Sequence, residues 1–355
     1  MTAAAAGRKL ETLALDDSNR EAVVRFVRGN EDYPTSAAFG RWRFTECPTM
    51  EALICMAGDE CVSTMFSLRR EWLTPSGPRE LLEPFEWHSS EEWRAQAPGL
   101  RIVRQRMREA RPMIAIAGTD QAGGLLVKLK WTRVATAMKF ALPITGAYLA
   151  TRGHGGAIAK VFDLIGTPIF TPRRKRGSPL RLEPAGEYAP AVRALAEQQR
   201  RFAIMRLPDI ATASWLSRAP AEVGHHMYFH ASVGGRIVGW GMGRVFTRDE
   251  IRVGEILEAF LVDDRTDLYP ALIREMSAAL AGYGTDLLVA TTTCDDTMAA
   301  LRALRYRPDD LRPVLAWWGS EPVPQGKVLI DGAIGDHAFF PVPTAAAAAW
   351  LDAPR

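Results

Sequence analysis

The sequence predicts an α/β protein of two tandem domains, each a mixed, mostly antiparallel sheet flanked by helices. Three observations carry that expectation. One pattern occurs twice at a constant spacing: Glu80-Leu81-Leu82-Glu83-Pro84-Phe85 reads against Glu255-Ile256-Leu257-Glu258-Ala259-Phe260, and Leu126-Val127-Lys128-Leu129-Lys130-Trp131 reads against Leu301-Arg302-Ala303-Leu304-Arg305-Tyr306, both 175 residues apart. No net insertion separates the two blocks, and a period this long exceeds that of solenoids and propellers, so each unit is a domain. The length of 355 residues suits two domains that each bury a core. Short strand-like runs alternate with helical segments throughout, the pattern of a layered α/β fold.

In the first unit, residues 10–15 are a short apolar run. Asp16-Asp17-Ser18 then caps a helix over 20–28, where Val23, Val24 and Val27 share a face. The chain passes through FGRWRFTECP at 39–48 before a hairpin, 52–57 and 61–68, turned at Gly58-Asp59-Glu60. A strand over 81–87 leads through a polar loop to a helix at about 100–110. A buried strand over 112–118, a helix over 120–129 and a strand region over 133–143 close the unit. The second unit repeats the order. A short run at 180–182 precedes a helix over 190–201, and SWLSRAP around Trp215 echoes the Trp42 segment. Strands over 228–233 and 237–245 flank Gly234-Gly235. They are followed by a strand over 255–262, a helix over 268–281, a strand over 285–292, a helix over 296–304 and a strand over 313–318. Residues 147–179, with their glycines and the stretch TPRRKRGSP, have the composition of a linker, leaving domains at 1–146 and 180–355. A short alanine-rich helix is expected at 345–351.

Composition narrows the function. Charged residues make up 24% and hydrophobic residues 47%, as in a soluble globular chain, and a formal charge of +3 gives no argument for a nucleic-acid partner. Cys47, Cys55, Cys61 and Cys294 show no CxxC spacing, which suggests reduced thiols and a cytoplasmic location. The opening MTAAAAGRKLETLALDD lacks the apolar core of a signal peptide, and no run reaches the length of a membrane span, so no membrane partner is expected.

This order of elements, with a polar loop between a strand and the following helix, resembles the GCN5-related N-acetyltransferase family, whose members bind acyl-coenzyme A. Gln96-Ala97-Pro98-Gly99-Leu100-Arg101 reads onto the family's Q/R-x-x-G-x-G/A loop, with Gln96 and Gly99 matching and Arg101 where a small residue is usual. Residues 126–131 and 301–306 look like the family's final helix running into a Gly-aromatic step, Lys130 and Arg305 replacing the glycine. The resemblance implies that Gln96, Ala97, Pro98, Gly99, Leu100 and Arg101 seat the pyrophosphate of acetyl-CoA or another acyl-CoA, used as substrate without a metal. The physical basis is sound, because a glycine lets backbone N–H groups approach a phosphate and the helix N-terminus adds a favourable dipole. Arg101 and Arg104 add charge. At the same spacing the second unit has Ala271, Arg274 and Met276, preceded by Asp263-Asp264-Arg265-Thr266-Asp267, whose carboxylates repel phosphate; it is expected to bind no CoA. Tandem copies of this fold also resemble the Fem-type aminoacyl and peptidyl transferases, although no Fem-specific motif is present.

The resemblance further implies a carboxylate on the strand before the loop as general base. Glu83 and Glu258, flanked by apolar residues, fit that role, while Glu80 and Glu255 point to the opposite face. The structural alternative is a salt bridge at an edge or between the domains, kept through duplication. Other candidates favour bland readings. His226 and His230 share a strand face but have no third ligand nearby. Gly153-His154-Gly155-Gly156 has no nucleophile elbow to serve, and Cys294 reads as a small buried residue. The expected activity is acyl-CoA-dependent N-acyl transfer to a small-molecule amine held between the domains. A duplicated scaffold without catalysis, or a Fem-like transferase, is the alternative.

Overall fold

The computed structural model describes residues 8–339 except 31–35, 152, 154–155, 186–187, 189, 249 and 336. Chain order in the first half is β1 (Leu10–Ala14), α1 (Arg20–Asn30), α2 (Ala37–Phe44), β2 (Met50–Ala57), β3 (Glu60–Thr74), β4 (Gly77–Ser89), α3 (Pro98–Arg108), β5 (Met113–Ile116), α4 (Asp120–Lys128) and β6 (Thr132–Pro143). Three short helices, α5 (Gly146–Thr151), α6 (Gly156–Val161) and α7 (Thr167–Phe170), then lead to the second half. That half comprises β7 (Leu180–Ala185), α8 (Pro190–Gln198), β8 (Ile204–Arg206), α9 (Ile210–Ser217), β9 (His225–Val233), β10 (Arg236–Arg248), β11 (Ile251–Leu261), α10 (Tyr269–Ala281), β12 (Leu287–Thr292), α11 (Asp295–Ala303), β13 (Arg307–Trp317) and β14 (Val328–Leu329). The 175-residue spacing is kept by the bounds of α4 and α11, and nearly so by β2 and β9, β3 and β10, and β5 and β12. The helix expected at 345–351 lies outside the described residues.

In place of a sheet in each half, the strands form one continuous mixed sheet whose main path runs β1-β2-β3-β4-β5-β13-β6-β12-β11-β10-β9-β7, with β8 joined to β3 and β14 to β8 off that path. Its centre explains why. β5 of the first half pairs with β13 of the second, and β12 of the second half pairs with β6 of the first, both antiparallel. The closing strands are therefore crossed, and each half completes the other's hydrogen-bond ladder. An unpaired central edge would leave a row of buried N–H and C=O groups unsatisfied, so the exchange ties the two halves into one sheet.

A pair of tryptophans packs the halves together. Trp42 of α2 and Trp215 of α9 stack with ring centroids 4.2 Å apart, and each indole N–H donates to the other residue's backbone carbonyl, at 3.0 and 2.9 Å. Both rings are buried. The resemblance between their segments was visible in sequence; the two helices were not, although Ser36 and Asp209 cap them in the usual way, each accepting a backbone N–H with its side chain. The stretch 147–179, expected as a linker, carries helix at Gly146–Thr151 and over 156–170.

The Gly-aromatic step acquires a physical meaning. Lys130 and Arg305 sit in the left-handed region, φ 67° and 69°, as the residues just past α4 and α11. Trp131 N–H donates to Leu126 O and Lys130 N–H to Val127 O; Tyr306 and Arg305 bond Leu301 and Arg302 the same way. This is a Schellman cap, whose left-handed position favours glycine. Replacing either residue by glycine is expected to raise stability in urea unfolding by about 0.5–1 kcal/mol. Lys130→Gly should gain more, since Arg305 also lies 5.8 Å from the ring of Phe170. A loss of stability in Lys130→Gly would show that side-chain contacts outweigh backbone strain there.

Candidate active site

An opening in the sheet follows from a local defect in β4. This strand runs parallel to β5 but pairs with it only at Leu82 and Met113 among the described residues, with Leu82 N–H donating to Pro112 O at 3.0 Å. Beyond that point a bulge turns β4 away. Phe66 of β3 faces Phe85 and Thr64 faces His88, so Glu86 and Trp87 oppose the single residue Met65, and Glu86 adopts φ 43°. A non-glycine residue in this region is strained and persists only where its surroundings hold it. Here Arg43 holds it. Its fully buried guanidinium donates to the Glu86 carboxylate and lies 4.9–5.9 Å from the ring centroids of Phe39, Phe44, Phe66, Phe85 and Phe339.

The splayed strands enclose a cleft of about 270 Å³. Phe85 and Trp87 form one wall and Ala115, Ala117 and Leu126 the other. Trp131 and Ile334 complete the apolar lining, and Glu86, His88 and His337 supply its polar groups. At one side stands the start of α3. Pro98 occupies the first turn, and Ala97 before it, the N-cap, is left-handed at φ 52° and has no side-chain cap hydrogen bond. Gly99 is buried, and a Cβ there would stand 2.6 Å from Trp87 Nε1 and 2.7 Å from Ser89 Oγ. The glycine thus lets the helix start press against the tryptophan wall of the cleft. Arg101 and Arg104 are exposed on the same turns.

The corresponding place in the second half is closed. β11 and β12 pair at four successive positions, Val253–Leu287 through Ile256–Ala290. The gap beyond is occupied by the chain's own C-terminal segment: Thr293 N–H donates to Ile330 O at 2.9 Å, Asp331 bridges Thr292, and Gly332 lies against the backbone of Ile256 and Leu257. Only about 20 Å³ remains, room for a single water.

Glu83 and Glu258, the two glutamates singled out by their spacing, meet at this closed site. Both are buried, and Arg206, its side chain 9% exposed, lies between them: it donates to Glu258 and stands 3.9 Å from Glu83. Arg206 also reaches Asp331 at 3.4 Å and donates to Ala333 O at 2.5 Å. Gly335 N–H donates to Glu83 at 2.9 Å, Arg70 approaches Glu83 at 4.0 Å, and the Tyr188 hydroxyl donates to Glu258. Burial pulls the Arg206 guanidinium down, but Glu258, Asp331 and Glu83 more than restore it, so it stays charged. Burial raises the Asp331 carboxyl to about 7 against the pull of Arg206.

The other candidates resolve individually. Gln96, Ala97, Pro98, Gly99, Leu100 and Arg101 form the turn into α3; none of them lines the cleft, which the turn reaches through the approach of Gly99 to Trp87. His226 is buried, its pKa lowered by burial and by Arg244 to about 3, and its Nε2–H donates to Ala338 O at 2.6 Å. No cluster of His, Cys, Asp or Glu among the described residues suits a metal ion. Cys294 is buried, and burial pushes the Cys61 thiol up to about 12. Arg43, Glu86, His88, Arg206, Asp331 and His337 escaped sequence reading, because each acquires its meaning from a neighbour far along the chain.

No protein-family model matches the chain, and no curated protein sequence matches it. Solved structures match in fold. A GCN5-related N-acetyltransferase of Anabaena variabilis aligns at a TM-score of 0.59 and 8% identity, over 88% of this chain and 73% of its own. An N-myristoyltransferase of Saccharomyces cerevisiae, solved with bound myristoyl-CoA, aligns at a TM-score of 0.62 and 12% identity, over 94% of this chain and 84% of its own. At such identities the likeness establishes architecture: this chain has the mixed α/β fold of the GCN5-related N-acetyltransferases.

The Asp331 environment predicts a pH dependence. A carboxyl whose folded pKa is raised above its unfolded value of 3.8 contributes stability that is fully present below about pH 4 and is lost as pH rises through about 7. Asp331→Asn should therefore flatten the decline of stability between pH 4 and 7 relative to wild type. Parallel profiles for the two proteins would contradict the assignment.

Proposed function

We propose that the chain is an acyl-CoA-dependent N-acyltransferase, arisen by tandem duplication, whose first half binds the acyl donor in the cleft between β4 and β5. The observation that supports this most is the conjunction of two parted parallel strands with an uncapped helix start. The facing edges of β4 and β5 offer unsatisfied backbone groups to an extended, amide-bearing arm such as pantetheine, in the manner of an added strand. The free N–H groups of Gly99 and Leu100, with Arg101 and Arg104, offer donors and positive charge to a pyrophosphate. The apolar lining from Phe85 to Leu126 suits an acyl chain.

A bound acyl-CoA supplies a thioester: the amine nitrogen bonds to the acyl carbon as the carbon–sulfur bond breaks, the amine loses a proton and the departing sulfur gains one. A base for that proton must face the cleft. We assign it to His337 or His88, which line the cleft and are exposed. Glu86 lines it too, but its carboxylate is engaged by Arg43. In this reading Glu83 and Glu258 are ion-pair partners of Arg206, since protonating either would dismantle a buried cluster. That same engagement is the observation favouring a scaffold without catalysis.

Calorimetric titration with acetyl-CoA and longer acyl-CoA should give one site per chain, and occupancy at 100 Kd should stabilise the protein by about 2.7 kcal/mol. Arg101→Glu is expected to weaken binding about tenfold while leaving unfolding unchanged. No binding of any acyl-CoA would refute the proposal. His337→Ala or His88→Ala should lower kcat by roughly 10²–10⁴-fold on an accepted amine with donor affinity preserved. Donor binding with no turnover on any amine would move the chain to the scaffold reading.

A further inference from the structure

Residues 156–170 are fifteen consecutive helical residues, α6 and α7 joined through a π-helical turn at Phe162–Gly166. Their inward side is small or aromatic: Ala159 and Gly166 are buried, and Phe162 stacks on Phe170 at 5.5 Å. Their outward side is aliphatic. Nine large hydrophobic side chains are exposed among the described residues, and five of them, Ile158, Val161, Leu164, Ile165 and Ile169, fall in this one stretch, each 55–78% exposed. Such clustering is unlike scattered surface leucines, which need no explanation. Asp163, the one acid here, is exposed, but its carboxylate is engaged locally, accepting the backbone N–H of Gly146 at 2.6 Å. Lys160 remains outward, and the exposed run Arg173-Arg174-Lys175-Arg176 follows directly, with Arg174 reaching Glu275 only at 3.9 Å.

We propose that residues 156–176 dock the protein on an anionic lipid surface, the aliphatic side chains entering the acyl boundary and the basic run lying among the headgroups. The charge selects this occupant. An apolar helical face bordered by cations is the composition of an interfacial segment, and each basic residue near an anionic leaflet adds attraction. A second copy of the chain meeting the same face offers the basic run no acidic complement, since Asp163 is the one acid in residues 156–176. No helix among the described residues is long and apolar enough to cross a membrane, and docking needs none. The proposal amends the sequence expectation of no membrane partner and stands independently of acyl transfer.

Co-sedimentation of the full chain with phosphatidylcholine vesicles, with and without phosphatidylserine, tests it. The chain should pellet with the phosphatidylserine vesicles alone and be released by raised salt. The double variant Leu164→Glu/Ile165→Glu should bind at least about tenfold more weakly, and Arg173→Ala/Arg176→Ala roughly ten- to thirtyfold more weakly, both with wild-type thermal unfolding because the altered side chains are exposed. A wild-type chain that stays in solution with both vesicle types overturns the proposal. So does a wild-type dimer by size exclusion that Leu164→Glu converts to monomer, which would give the face to a second copy.

Discussion

One buried guanidinium organises the molecule. Arg206 stands between Glu83 on β4 and Glu258 on β11 and, through Asp331 and Ala333, fixes the C-terminal segment across both. With Arg70 near Glu83, two cations face three carboxylates, and burial, with Glu258 and Glu83 adding to it, accounts for the upward shift of Asp331. Removing one partner from such a cluster leaves an uncompensated buried charge, a loss of about 3–5 kcal/mol. The cluster joins strands from both halves to a segment that follows the last long strand, so it cannot assemble before the sheet closes. The crossed strands β6 and β13 impose the same condition on the backbone.

This arrangement produces an asymmetry on a nearly symmetric frame. β4 and β11, with the helices and strands that follow them, lie within a few residues of the 175-residue spacing, which α4 and α11 keep, and Trp42 and Trp215 exchange equivalent hydrogen bonds. The two gaps beside β4 and β11 nonetheless have opposite fates. Beside β11, residues 328–335 fill the gap; beside β4, Arg43 pins a bulge that holds it open, and Ile334 and His337 of the same segment serve as lining. The segment is thus an occupant in one half and a wall in the other. Its far end is held by Arg244 on His337 O and His226 on Ala338 O, and Phe339 sits edge-on to Trp215 at 5.2 Å.

Periodicity made the strands and the main helices legible, because the pattern of a strand or helix is local. The glycine loop before α3 was legible too, although Gly99 proves to face Trp87 and Ser89 through packing. The helices around Trp42 and Trp215 were missed since their apolar residues fall all round, leaving no amphipathic stripe to detect. The crossing of β6 and β13 could not be read, as either pairing satisfies the same local pattern. Arg43 with Glu86, and Arg206 with Glu83, Glu258 and Asp331, were beyond reach for a related reason: a buried charge is recognised by the partner that permits it, and these partners lie between 43 and 125 residues away.

The central claim is that this fold presents one open donor cleft, between β4 and β5, and closes its counterpart with its own chain. A crystal structure with an unreactive thioether analogue of acyl-CoA tests it directly. The account predicts density for the analogue between the Phe85–Trp87 wall and Ala115–Ala117, its phosphates at the start of α3, with residues 328–335 unmoved beside β11. Density between β11 and β12 with that segment displaced, or none in the first cleft at saturating analogue, would contradict it.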